Sequence, residues 1–407
     1  MKKILYISYD GMTDPLGQSQ VIPYVEGLAN AGYDMTILSC EKKDKLLEKG
    51  DLIRTLLSDR GIKWETFFFT SSPPILSKMY DLWQLKSKAE KLHLQNNYDM
   101  THCRSYVSAQ AGLLLKKKYG VKFLFDIRGF WVDERVDGGI WNLNNPLYKI
   151  IYNDYKKREA DFISNCDALV SLTHNGKKEM LKWKSYKQQP LSVIPCSADF
   201  ELFSLTSNKQ KTAAREKLNL KEDDFVISYL GSIGTWYMVD EMMAFFSLLK
   251  TKIPTAKFLF ITNGEHGKIK QVAQTHGINA NELVLTSAPR KEVPSVTKAS
   301  DVSISFIKPC YSKISSSPTK LGELLAMGIP VICNSGVGDV KEIVEQTQSG
   351  ICIDDFEKST MTNAAMNLFE VVKNVNHQLI RDKAKEIYDL ENARNKYIQL
   401  YKTVLKD

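Results

Sequence analysis

The run Ser315-Ser316-Ser317-Pro318-Thr319-Lys320-Leu321-Gly322-Glu323 holds residues able to bind an anion beside a diol. Ser317 before Pro318 reads as a helix start, with the hydroxyl as N-cap and proline at the first helical position. The amides of Thr319 and Lys320 then point out of the positive helix end, a ready anion site, and Lys320 adds a full charge. Glu323 follows three residues on, on the same face, where its carboxylate can accept hydrogen bonds from vicinal hydroxyls such as those of a ribose. Phosphate at the helix end with sugar hydroxyls one turn in is the geometry a nucleotide needs. The same pattern also describes an ordinary capped helix with a solvated lysine and glutamate.

Other candidates sit at predicted strand ends. Arg128, in Phe125-Asp126-Ile127-Arg128-Gly129, reads as a phosphate clamp oriented by Asp126, or as a surface ion pair. Asp133 and Glu134 follow directly, and one of these carboxylates could hydrogen-bond an incoming hydroxyl, although charged loops are usually just solvated. His102 and His174 end two further strands, where a packed role is equally apt. No Asp-x-Asp triplet occupies a strand end and no Cys-x-x-Cys pair occurs among seven cysteines, so spacing calls for no metal and no disulfide framework.

These residues need strands and helices to position them. Buried-strand runs are expected at Ile4–Ile7, Met35–Leu38, Lys63–Phe69, Met100–His102, Lys122–Asp126, Ala168–Leu172 and Leu191–Ile194, with helical patterns between most of them, one covering about Gln20–Ala31. After the polar stretch Ser204–Lys211, a second series runs from Phe225–Leu230 to Gly350–Ile353. The 407 residues, 43% hydrophobic and 25% charged, therefore divide into two doubly wound α/β domains, 1–205 and 206–380. A helix within 381–407 carries Tyr397, Leu400, Tyr401 and Leu405 on one face. The net charge of +8 is diffuse, with no basic arm for nucleic acid. No apolar run is long enough to span a bilayer, and the apolar run at Ile4–Ile7 is too short for a secretion signal, so a cytoplasmic protein is expected. Ser72–Trp83 mixes large apolar residues with Lys78, near Lys86 and Lys88, and reads equally as a core helix or as an edge resting on anionic lipid.

Taken in order, several segments resemble the GT-B glycosyltransferases of the family 4 type, the glycosyl transferases group 1. Glu323, Gly328, Pro330 and Val331 match that family's ribose-binding glutamate and its small-Gly-x-Pro-Val turn. Asp10–Gln20 resembles the loop after the first strand, Val193-Ile194-Pro195 with Asp199 and Phe203 the end of the first domain, and Leu230-Gly231-Ser232 the first glycine turn of the second. Glu292-Val293-Pro294, Ala299-Ser300-Asp301 and Gly336-Val337-Gly338 with Glu342-Ile343-Val344 continue the pattern. Three positions depart from it: Ser315 stands where the family has a second carboxylate, Ser232 and Tyr237 where it has a basic pair, and Arg128 where it often has a histidine.

The resemblance implies two Rossmann-like domains facing a central cleft, with the C-terminal helix returning to the first. It implies transfer of a sugar from a nucleoside diphosphate sugar to an acceptor hydroxyl, with retention, no metal and no cofactor beyond the donor. Glu323 would hold the ribose. Lys320, Arg290 or Arg128 would meet the pyrophosphate, together with amides near Gly17, Gly234, Thr235, Ser317 and Thr319. The acceptor, a glycan or lipid-linked glycan, would lie against Arg128, Asp133 and Glu134, with peripheral contact at the inner face of the cytoplasmic membrane. A sugar-nucleotide 2-epimerase of the same fold and a non-catalytic nucleotide-sugar-binding subunit are the alternatives. A nicotinamide dehydrogenase is disfavoured because the first turn lacks Gly-x-Gly-x-x-Gly.

Overall fold

The strand runs are continuously apolar rather than alternating, as Ile4, Leu5, Tyr6 and Ile7 illustrate by being almost wholly buried. That is the signature of parallel sheets covered on both faces. The computed structural model describes residues 1–406, with the side chains of Pro74 and Ile75 outside the described set. Its first sheet comprises β1 (Lys3–Ser8), β2 (Asp34–Glu41), β3 (Lys63–Phe68), β4 (Met100–Arg104), β5 (Lys122–Asp126), β6 (Ala168–Ser171) and β7 (Leu191–Val193), in the order β3-β2-β1-β4-β5-β6-β7. The second comprises β8 (Phe225–Leu230), β9 (Ala256–Ile261), β10 (Leu283–Thr286), β11 (Val302–Ser305), β12 (Val331–Asn334) and β13 (Gly350–Ile353), in the order β10-β9-β8-β11-β12-β13. Every pairing within them is parallel.

The chain divides into a unit of Met1–Pro195 with Leu390–Asp407 and a unit of Cys196–Asp389. The expected boundary at 205/206 therefore moves to 195/196, because residues 196–203 are tied into the second unit. The amide of Ala198 bonds to the carbonyl of Tyr388, and Arg381 donates to the carbonyls of Phe200 and Phe203. The expected break at 380/381 moves to 389/390 for the same reason. The helix His377–Tyr388 buries Ile380, Ala384 and Tyr388 in the second unit's core, and only the terminal helix Leu390–Leu405 returns to the first.

The helix anticipated at Gln20–Ala31 is two, Pro15–Gln20 and Ile22–Asn30. Gly17 is buried on the first of them, and a Cβ there would lie 2.1 Å from the carbonyl oxygen of Gly11. Its glycine is thus required by backbone packing inside the loop after β1. Glu41, fully buried at the end of β2, braces that loop by accepting the amides of Met12 and Thr13 and the Thr13 hydroxyl. Among the described residues no helix is long and apolar enough to cross a membrane.

The terminal helix buries Ala393, Tyr397, Leu400, Tyr401 and Val404 against the first sheet. At about 1.5–3 kcal/mol for each large side chain, its removal costs as much as the whole stability of an ordinary domain. A chain ending at Asp389 should fail to fold its first unit, seen as loss of cooperative unfolding and soluble yield relative to the full chain.

Candidate functional site

The helix Thr319–Ala326 carries the second unit's constellation. Its inner face buries Leu321, Leu324 and Leu325, and Gly322 lets it approach the Tyr388 ring, where a Cβ would come within 3.0 Å. Gly328, at φ 69°, ends it, and His377 Nδ1 bonds the Gly328 carbonyl at 2.7 Å. The expected cap is off by one residue: Pro318 is the N-cap, its carbonyl receiving the amide of Leu321, so the helix begins at Thr319. Ser317 gives no cap, because its hydroxyl instead accepts the Cys196 amide at 3.3 Å.

Glu323, 3% exposed, accepts from Arg290 Nη1 at 2.7 Å and from Lys320 Nζ at 3.2 Å. Both cations remain over a third exposed, and the Arg290 guanidinium also lies 5.5 Å from the Phe203 ring centroid. A buried carboxylate thus draws two solvent-facing cations to one helix end, leaving a local net positive charge beside free-standing amides. Three of the predicted donor residues, Arg290, Lys320 and Glu323, are brought together with Thr319 at the helix start.

Gly234 and Thr235 occupy an exposed turn after β8 and, among the described residues, share no hydrogen bond with that trio. The turn is held by Tyr229, whose hydroxyl donates to the Ser232 carbonyl at 2.6 Å, and by Trp236, which lies under the Lys313 ammonium at 3.8 Å. Ser315, at the position of the family's second carboxylate, is buried and donates to the Ser312 carbonyl at 3.0 Å.

In the first unit the polar residues gather at the carboxyl ends of β4 and β5. Asp126, 1% exposed, accepts from the Tyr397 hydroxyl at 2.9 Å and lies 3.7 Å from Arg128 Nη1 and 3.6 Å from His102 Nε2. His102 Nδ1 meets the Tyr401 hydroxyl at 2.8 Å, and Arg104 Nε meets Asp10 at 3.3 Å. Arg128 adopts φ 55° and Gly129 φ 117°, a left-handed step that turns the chain away from the strand direction. Burial works to raise the Asp126 pKa, but Arg128, His102 and Arg104 outweigh it and hold the carboxyl below its ordinary value. Burial pushes the His102 pKa below its ordinary value despite Asp126, so the ring is neutral near pH 7.

Asp133 and Glu134 lie in the first turn of the helix Trp131–Asp137. Asp133 is buried and committed, accepting from the Tyr152 hydroxyl at 2.9 Å and from Lys156 Nζ at 3.0 Å. Lys156 also pairs with Glu159, which accepts from the Tyr106 hydroxyl. His174 begins the helix His174–Met180 after the Thr173 cap. Spacing alone did not reveal Glu41, Arg104, or the hydroxyls of Tyr397 and Tyr401. The two tyrosines registered only as an apolar stripe, and periodicity carries no information on what a hydroxyl meets some 270 residues away.

Two parallel sheets, each with polar groups at its carboxyl edge and one with a helix start that gathers two cations, define a two-unit Rossmann-like architecture. The sequence model of the Glycosyltransferase Family 4 matches residues 19–202 and that of the Glycosyl transferases group 1 matches residues 210–399. The chain belongs to these family 4-type glycosyltransferases, of GT-B fold. It is 24% identical over 320 residues, 76% of this chain and 77% of the relative, to the Escherichia coli UDP-Gal:alpha-D-GlcNAc-diphosphoundecaprenol alpha-1,3-galactosyltransferase. It is 21% identical to a D-inositol 3-phosphate glycosyltransferase of Segniliparus rotundus over 64% of this chain, and spans only 56% of that relative's length. Among solved structures, sucrose-phosphate synthase from Thermosynechococcus elongatus is similar with a TM-score of 0.72 at 15% identity, covering 100% of both chains. HepE from Anabaena in complex with UDP and glucose has a TM-score of 0.70 at 13% identity, covering 98% of this chain and 99% of its own.

The buried histidine makes stability pH-dependent. Because the folded His102 pKa lies below its ordinary 6.5, the unfolded chain binds the extra proton, and stability present above that value is lost as pH falls through it. The unfolding free energy from urea titrations should fall from about pH 7 to about pH 5, by at most about 1.4 kcal/mol per pH unit for one group. In His102→Asn that part of the slope should vanish.

Proposed function

We propose that this chain transfers a sugar, with retention and without a metal bridge, from a nucleoside diphosphate sugar to a hydroxyl of a glycan or lipid-linked acceptor. The observation that carries the reading is the buried Glu323 carboxylate holding Arg290 and Lys320 at the start of the helix Thr319–Ala326. When the donor enters, Glu323 accepts the ribose hydroxyls, and the two cations turn to the diphosphate together with the amides of the helix end. Their attraction grows as the leaving oxygen gains charge, so they stabilise the transition state more than the ground state.

The bond from the anomeric carbon to the β-phosphate oxygen breaks, the acceptor oxygen bonds to that carbon on the same face, and the acceptor proton passes to the departing phosphate oxygen. No side-chain base is required by that path. On the acceptor side, Arg128, held by Asp126, offers a guanidinium to a phosphate. Asp133, committed to Tyr152 and Lys156, positions its helix, and the acceptor hydroxyl falls to Glu134. The Escherichia coli relative named for a diphosphoundecaprenol-linked acceptor and the Anabaena structure holding UDP support a lipid-linked acceptor, a uridine-type donor and work at the inner face of the cytoplasmic membrane.

Purified protein given a panel of nucleotide sugars should release nucleoside diphosphate only when an acceptor is present. Lys320→Ala should lower kcat/KM by about 10²-fold or more, equivalent to about 2.7 kcal/mol, and Glu323→Gln should act mainly by raising the donor KM. Turnover at the wild-type rate by both variants would remove the site assignment. An epimerised donor formed without acceptor would remove the transfer reading itself.

A further inference from the structure

The turn after β8 and the helix Thr319–Ala326 leave the carboxyl ends of β8 and β11, which are neighbours in the second sheet. One residue joins them. Lys313, in the 3₁₀ turn Tyr311–Ser315 that leads toward the helix, places its ammonium 3.8 Å from the centroid of the Trp236 ring. Its carbonyl accepts the Ser316 amide at 3.0 Å and the Gly338 amide at 2.8 Å. The side chain thus holds the turn after β8, while the backbone holds the approach to the helix and the loop after β12. Lys313 is only 7% exposed, unusual for a lysine unless a specific contact keeps it there.

The turn itself spans Gly231 to Tyr237 and contains no charged residue, since Ser232 and Tyr237 stand where the resemblance implies a basic pair. What it can offer a diphosphate is therefore its backbone N–H groups. Coulomb attraction falls off only as the inverse of distance, but a hydrogen bond weakens steeply with length and angle. A turn that binds through amides must accordingly be aimed more closely than one that binds through cations. Its base is sewn to the segment after β11: the Trp236 carbonyl accepts the Lys308 amide at 2.9 Å, the Met238 amide bonds the Phe306 carbonyl at 3.0 Å, and Tyr237 lies opposite Ile307 in an antiparallel bridge. Trp236, half-buried, is the ring next to the exposed Gly234 and Thr235.

We infer that Lys313 is a positioning residue for the donor diphosphate, an inference that rests on the donor site proposed around Glu323. Its ammonium, seated on the Trp236 face, sets the Gly234–Thr235 turn against the start of the helix that carries Lys320 and Glu323. A cation over an indole face is held most strongly when both are withdrawn from water. Lys313 acts through Trp236 and meets no reacting atom. The contact gives an uncharged turn the fixed aim that amide binding demands.

Calorimetry of the full chain with UDP, GDP and ADP, and with the free nucleoside of whichever binds best, tests this without turnover, so its outcome is separable from that of the transfer reading. Lys313→Met and Trp236→Leu should each weaken the diphosphate by about tenfold and leave the nucleoside unchanged. The double variant should lose no more than the stronger single one, because both remove one contact. Trp236→Phe, which keeps a ring under the ammonium, should lose less than Trp236→Leu. Thermal melts report misfolding; should the buried Lys313→Met melt early, the two Trp236 variants carry the comparison. Three results would overturn the inference: variants that bind diphosphate as wild type does, equal losses for diphosphate and nucleoside, or additive losses in the double variant. A wild-type chain that binds none of the three diphosphates would remove the donor site and this inference with it.

Discussion

Parallel pairing throughout both sheets is the constraint from which the rest follows. A parallel sheet must be covered on both faces, and its crossovers supply that cover unevenly. In the first unit the order β3-β2-β1-β4-β5-β6-β7 places the helices after β1 and β2 on one face and those after β3 to β6 on the other. The first face would leave Met100, Leu124, Ala168 and Val170 bare, and the terminal helix covers them with Tyr397, Leu400 and Tyr401. The second unit has the same deficit. There the helix Lys358–Asn374 supplies Met361, Ala364, Ala365 and Leu368 over Ile304, Ile332 and Ile353. The return of the last eighteen residues to the first unit is therefore a packing requirement of a doubly wound sheet, and their hydroxyls reach the polar edge as a consequence.

The same architecture concentrates charge at the carboxyl edges, where three of the buried carboxylates, Glu41, Asp126 and Glu323, are satisfied by partners of different kinds. Glu41 is met by backbone amides and hydroxyls, a rigid brace for a loop. Asp126 is met by a tyrosine, with an arginine and a neutral histidine a little beyond hydrogen-bond range. Glu323 is met by two cations that are themselves partly in water. Only in the last case do the partners stay hydrated when they move, and the buried carboxylate they leave then needs donors from whatever enters. Exchangeable partners are what a ligand site needs, and fixed ones are what a scaffold needs.

Much of this was legible in the residue order. Parallel strands betray themselves as short apolar runs, so Lys122–Asp126, Phe225–Leu230 and Gly350–Ile353 were placed to the residue. The trio Arg290, Lys320 and Glu323 was assembled from spacing and family resemblance. What escaped depended on long-range geometry. Whether Ser317 caps its own helix or bonds Cys196 is decided by a strand end 121 positions earlier. Domain limits slipped by about ten residues because the link after Pro195 packs as part of the second unit, and polarity alone made it look like a linker. Gly17 was singled out for ligand approach, and the structure adds a reason that spacing could not show: a Cβ there would collide with Gly11 and Met12 of its own loop.

The position of Arg104 and Arg128 at the carboxyl edge of the first sheet has a physical logic of its own. A cation at a strand end must be held in place by the fold while keeping its charge available at the sheet's edge. Arg128 illustrates the constraint: its left-handed backbone and the Asp126 behind it, 3.7 Å from Nη1, fix a charged head that is largely shielded from water. A planar guanidinium held in a fixed orientation is the side chain best matched to a phosphate, which it can meet bidentately.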